Sequence, residues 1–168
     1  MPRIKKLNIN KFSVKQANKT DYLYSSKIVY SITQRIIKHG KKNLAYRIVQ
    51  KSLKNIEKQT KQDPLITIEK AIRNTTPSLE IRTRRTGGSV YSVAVELGFN
   101  RGTSKAIKWI LSAAKKRSAK TFDLNLANEF IDASKKSGSA FNKKEEIHKI
   151  ADTKTRLKTK RVKKTKTK

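Results

Sequence analysis

The stretch RTRRTGGSVY, residues 82–91, places Arg82, Arg84 and Arg85 just ahead of a Gly87-Gly88 pair. A guanidinium is a planar fork that grips phosphate through two parallel hydrogen bonds and stacks on bases, whereas the lysine this chain otherwise favours is a point charge. Arginines gathered at a turn therefore point to a phosphate ligand. The same cluster would also keep an exposed strand from pairing edge to edge with another chain. A second constellation follows, in which Lys105, Lys108, Ser112, Lys115 and Lys116 recur at steps of three and four residues. That spacing lines them along one face of a helix, and Arg101 lies just ahead of it.

Composition names the ligand class. Lysine and arginine number 42 against 12 aspartates and glutamates, a formal net charge of +30 on 168 residues. Self-repulsion on that scale disfavours a compact state unless a polyanion neutralises it, so nucleic acid is the expected partner. Acidic residues occur only between Asp21 and Asp152. The ends, residues 1–25 with Arg3, Lys5 and Lys6, and residues 152–168, read as basic arms that become ordered on a polyanion. The N-terminal arm resembles an organelle transit peptide in composition, but Pro2, Asn8 and Asn10 make a poor amphipathic helix, and a native arm is the reading adopted.

Catalysis finds no foothold. The chain has no cysteine, no HExxH and no Walker loop, and its histidines, His39 and His148, do not make a metal site, so no metal and no cofactor are expected. Glu145 and Glu146 beside His148 suggest an acid-base group, yet a capping box from Asn142 to Glu145 and a helix surface explain them more simply. No apolar run has the length of a membrane span or a secretory core.

The elements that must carry these cations follow from periodicity. Ile28, Val29, Ile32, Ile36 and Ile37 give a first helix over 27–38, stopped at Gly40. Leu44, Ala45, Ile48, Val49, Ser52, Leu53 and Ile56 face inward from a second. Asp63 as N-cap and Pro64 at the first helical position open a third, which Pro77 ends. From Leu79 to Leu97 the period is two, a hairpin. Pairing apolar with apolar favours a three-residue loop, Thr86 to Gly88, which sets Ile81 opposite Val93 and Thr83 opposite Tyr91 and sends Arg82 and Arg84 to the other face. On that register Tyr91 belongs to the packed side. After GFNRG, Ala106, Ile107, Ile110, Leu111 and Ala114 form the inner face of helix four, with Trp109 packing. Thr121 caps helix five, whose Leu124, Ala127, Phe130, Ile131 and Ser134 face inward before Gly138, and its acids Asp123, Glu129 and Asp132 make it the helix least suited to phosphate. Helix six opens at Asn142. The expected fold is mainly α: one domain over 26–151, six helices, and a protruding two-stranded hairpin between helices three and four.

With these residues in view, the sequence resembles the bacterial-type small-subunit ribosomal protein S-seven family. The likeness runs from about Lys27 to Ala151 through HGKKNLAYRIV, DPLITIEKAIRNTTPSLEIRTRRTGG, AIKWILSAAKKRSAKT, LANEFIDA and GSAFNKKEEIHKIA, in the family's order. It implies a protein that binds the head (3′ major) domain of small-subunit ribosomal RNA, nucleates head assembly and lies near the exit site for transfer and messenger RNA, beside other head and platform proteins. RNA contacts carried over are Lys41 and Lys42, Arg82, Arg84 and Arg85 with the Gly87-Gly88 tip, Arg117, and Lys143 and Lys144. The chain departs from the family at Ala94, where proline is common, at GFNRG, where the family has an arginine-rich link, and in its lysine-threonine end, which replaces an aromatic pattern. Abundant Lys, Asn and Ile suggest an AT-rich organelle genome, and a mitochondrial ribosome is the expected location, ahead of a plastid or a bacterium. The competing reading is a general architectural nucleic-acid-binding protein with no fixed ribosomal site.

Overall fold

A computed structural model describes the backbone of residues 26–118 and 121–165, and the side chains of these residues except Thr86 and those from residue 154 onward. Arg3, Lys5, Lys6 and the N-terminal arm lie outside the described residues, as do the side chains of the C-terminal tail. Among the described residues the order is α1 (Lys27–Ile36), α2 (Lys42–Thr60), α3 (Pro64–Thr75), β1 (Leu79–Thr86), β2 (Ser89–Glu96), α4 (Phe99–Lys116), α5 (Phe122–Ser134) and α6 (Ser139–Thr165). Six helices and one hairpin are as the periodicities predict. Two compact units, residues 1–49 and 50–168, divide within α2.

In the first unit α1 buries Val29, Ile32 and Thr33, and the chain turns where His39 and Gly40 take left-handed backbone at φ 50° and 73°. Ala45 and Val49 of α2 are buried. Leu44, expected on the inner face, is 54 % exposed. It stands in the first turn of α2, at the margin of the apolar stripe that Ala45 and Val49 continue.

In the second unit α5 packs against α3, α4 and α6. Asp63 caps α3 as its neighbours predict, its carboxylate accepting the Leu65 amide at 2.9 Å with Pro64 in the first helical turn. The inner face of α4 is the expected one, with Ala106, Ile107, Ile110, Leu111 and Ala114 all buried. The helix begins inside the GFNRG segment rather than after it. Gly102 explains how, since a Cβ there would stand 2.9 Å from Thr76 Cγ2 and 3.0 Å from the Pro77 carbonyl oxygen. The first turn of α4 lies that close to the end of α3, and only glycine permits it.

Expectations are overturned in this unit at the hairpin and at the opening of α6. The hairpin pairs Arg82 with Val93, Arg84 with Tyr91 and Ile81 with Ala94 across a two-residue Gly87-Gly88 loop, not across three residues. Gly87 and Gly88 both have positive φ, 56° and 79°, the requirement of the type I′ turn whose twist matches the strands. Every described residue from Thr83 to Tyr91 is exposed. A face that meets no core imposes no penalty for placing an arginine beside a tyrosine, so turn chemistry decides the register. Tyr91, expected to pack, is therefore 47 % exposed.

The capping box is not formed. Helix α6 opens at Ser139, so Asn142 lies inside it, and the Ala140 amide donates to Glu129 Oε1 at 3.0 Å. A carboxylate from α5 thus serves the orphan amide that a local cap would have served. Helix α6 itself runs on to Thr165. Lysine and arginine are good helix formers, and the sequence beyond Gly138 contains neither glycine nor proline.

Candidate nucleic-acid interface

The hairpin presents its cations in two environments. At the tip, Arg84 and Arg85 are exposed and take part in no ion pair among the described residues. Arg84 stands directly across from Tyr91, and Arg85 from Val90. A guanidinium, a phenol ring and a glycine turn thus share one exposed end, suited to phosphate and to the face of an unstacked base. At the base, Arg82 Nη2 lies 3.4 Å from Glu80 Oε2, while Lys105 Nζ of α4 lies 2.5 Å from Glu80 Oε1. The hydrogen bond from Lys105, against partial desolvation, holds the Glu80 carboxyl below the usual carboxylate range, with the charge of Arg82 adding to it.

Along α4, Lys108, Ser112, Lys115 and Lys116 are exposed on the side away from Ile107, Ile110 and Ala114, as their spacing predicts. Arg101 in the first turn is exposed too. Lys105 is the member of the stripe drawn into an internal pair. In the first unit Lys41 and Lys42 are exposed at the opening of α2. Lys143 is exposed in α6.

Arg117 and Lys144 are engaged within the protein. Arg117 Nε donates to Glu129 Oε2 at 2.7 Å, and its Nη2 meets both Glu129 and Asp132. Burial works to lower the guanidinium pKa, and the hydrogen bonds to Asp132 and Glu129 outweigh it, so the group stays charged. Glu129 is fully buried at 0 % exposure. Asn125 ties the same corner together, donating to the Arg117 carbonyl at 3.0 Å. Lys144 Nζ donates to the Asn74 carbonyl at the end of α3 at 2.6 Å and lies 5.5 Å from the centre of the Phe141 ring. Burial pushes this ammonium below the usual lysine range; Glu145 opposes that and Lys136 adds to it. His148 Nε2 accepts the Ser78 amide at 3.3 Å, which fixes it as a structural acceptor at the hairpin base.

Sequence reasoning missed the burial of Glu129. The signal was present, because Leu126, Glu129, Phe130 and Ala133 follow the three-and-four spacing of an inner face, and all four are buried. Among the described residues no cluster of His, Cys, Asp and Glu could hold a metal, and no helix is long and apolar enough to cross a membrane.

The fold and its surface define a basic helical scaffold that turns arginine and lysine outward from a hairpin and one helix. The chain belongs to the family described as ribosomal protein S7p/S5e, whose model matches residues 7–155. It is similar to the small ribosomal subunit protein uS7c of Nephroselmis olivacea, with 41 % identity covering 83 % of this chain and 90 % of the relative. It is likewise similar to uS7c of Tupiella akineta, at 43 %, and of Prototheca wickerhamii, at 46 %, each match covering 79 % of this chain and 85 % of the relative. It is a structural component of the small ribosomal subunit rather than an enzyme, and its partners are ribosomal RNA and other ribosomal proteins.

Proposed function

We propose that the protein binds the head (3′ major) domain of small-subunit ribosomal RNA, nucleates the assembly of that domain, and lies near the exit site for transfer and messenger RNA. The observation that carries the reading is the protruding hairpin, whose exposed Arg84 and Arg85 stand around a glycine turn with Tyr91 across from Arg84. The α4 residues Lys108, Lys115 and Lys116 supply a second cationic surface, and Lys41, Lys42, Arg101 and Lys143 supply exposed cations elsewhere. Cations on separate elements can bridge RNA segments that would otherwise repel one another, and shape and backbone contacts dominate such recognition. The basic arm with Arg3, Lys5 and Lys6 adds phosphate contacts, and the hairpin tip faces the exit-site RNAs.

The home of this ribosome is proposed to be the plastid, not the mitochondrion expected from composition. The relatives in three organisms bear the uS7c designation of the chloroplast protein, whereas Lys, Asn and Ile content reports only the base composition of a genome.

Competition binding tests the function. A head-domain RNA fragment is expected to displace labelled RNA from the protein at elevated salt while random RNA of equal length does not. Equal displacement by the two would refute the reading in favour of a general architectural binder. Neutralising even about six phosphates makes affinity fall by orders of magnitude as salt rises, so the comparison is made across a salt series.

A further inference from the structure

Glu80 is an acid at the base of an arginine hairpin, where it holds two of the cations that its neighbours would otherwise offer to phosphate. Its two oxygens are divided: Oε1 takes Lys105 Nζ at 2.5 Å and Oε2 takes Arg82 Nη2 at 3.4 Å. The side chain is only 21 % exposed, so the pairs are less screened than those at an open surface. Lys105 belongs to α4 and Glu80 to β1, which makes the carboxylate a strap between hairpin and helix.

The hairpin depends on such straps. Two strands alone are marginal in water, and the tip contributes no buried surface. What fixes the pose lies at the base: the Leu97 amide on the Ser78 carbonyl at 2.8 Å, the Ser78 amide on His148 Nε2 at 3.3 Å, the close approach at Gly102, and the packing of both strands on α6. The Glu80–Lys105 pair is the one ionic connection between the hairpin and α4 among the described residues.

We infer that Glu80 is a specificity-determining residue: it withdraws Arg82 and Lys105 from indiscriminate phosphate binding and uses them to hold the hairpin arginines at a fixed spacing from the lysine face of α4. A rigid pair of cationic surfaces matches one arrangement of RNA backbone; a loose hairpin with two more free cations matches many. Discrimination comes from the difference in affinity between the right and wrong partner, and a feature that lowers the wrong one counts as much as one that raises the right one. This inference rests on the RNA-binding reading above.

The test is Glu80→Gln in the full chain, with binding to a head-domain fragment and to random RNA of equal length measured across a salt series. Freeing two cations is expected to steepen the dependence of log affinity on log salt by about 1–2 units. Random RNA gains affinity, and the ratio favouring the head fragment falls severalfold. The exchange Glu80→Lys with Lys105→Glu restores the strap at unchanged net charge and is expected to recover the ratio; no recovery overturns the inference. So does a Glu80→Gln protein with wild-type slope and wild-type ratio. Wild-type protein that shows no preference for the head fragment overturns the RNA reading itself, a result distinguishable from either.

Discussion

Arg84 and Arg117 are the same residue type in the same strongly basic chain, and they have opposite employments. Arg84 stands on the exposed tip of a strand, across from Tyr91, with no acid within ion-pair reach among the described residues. Arg117, 29 % exposed at its side chain, closes the corner where α4, α5 and α6 meet, bound to Glu129 and Asp132. What separates them is the nearest carboxylate. With only 12 acids against 42 bases, carboxylates are scarce, so each acid that forms an ion pair marks cations the fold keeps for itself. Glu80 lies between these extremes, half sheltered and shared by two cations.

The comparison breaks most visibly at Glu129. Replacing it by alanine leaves Arg117 with Asp132 alone and the Ala140 amide uncapped. The expected loss is about 3–5 kcal/mol, the range for removing one member of a buried pair, read from the denaturant midpoint. A loss under about 1 kcal/mol would mean that Arg117 is not held as described. At the other pole, Arg84→Ala with Arg85→Ala should weaken binding to the head fragment by about 2–3 kcal/mol and flatten the salt dependence by about 2 units. The unfolding midpoint should hardly move, and a large unfolding shift would remove these residues from the surface assignment.

A smaller effect is expected at the turn between them. Gly88→Ala forces a side chain into left-handed backbone at φ 79°, a cost of about 1 kcal/mol, with the strand amides of the tip losing protection in hydrogen exchange. The smallest concerns acid. The Glu80 carboxyl is held below its ordinary range by Lys105 first, so its ion pairs contribute stability above the unfolded-state pKa of a glutamate. That contribution is lost as the pH falls through the lowered folded-state value. Melting temperature followed against pH should therefore drop more steeply toward acid in the wild type than in Glu80→Gln, and parallel curves would sink the assignment.

These regions also differ in how readable they were. Helices announced themselves wherever one face is buried, because a core imposes a period; Asp63 with Pro64, and Gly40 after α1, marked boundaries through local backbone chemistry alone. The hairpin was legible as a hairpin but not in its register. Matching apolar residues presumes a buried face, and beyond Arg82 the strands have none, so two consecutive glycines decided the turn and brought Tyr91 round beside the arginines. Glu129 sat in a visible inner-face period with Leu126, Phe130 and Ala133, and what stayed hidden was the partner that lets its charge be buried. Its burial depends on Arg117, twelve residues earlier and across a helix connection, and no local period encodes that partnership. The opening of α6 failed with it, because the cap that replaces Asn142 and Glu145 is that same carboxylate.

Gly102 has a mechanical reach well beyond its size. Its missing side chain lets the first turn of α4 close on Thr76 and Pro77, at the root of an eight-residue strand pair that, at a rise of about 3.3 Å per residue, is roughly 25 Å long. Tilting it by about 5° at the root would sweep the far end sideways by about 2 Å, enough to break a hydrogen bond made by a guanidinium at the tip. A small displacement at the root is thus amplified by leverage into the position of the whole tip.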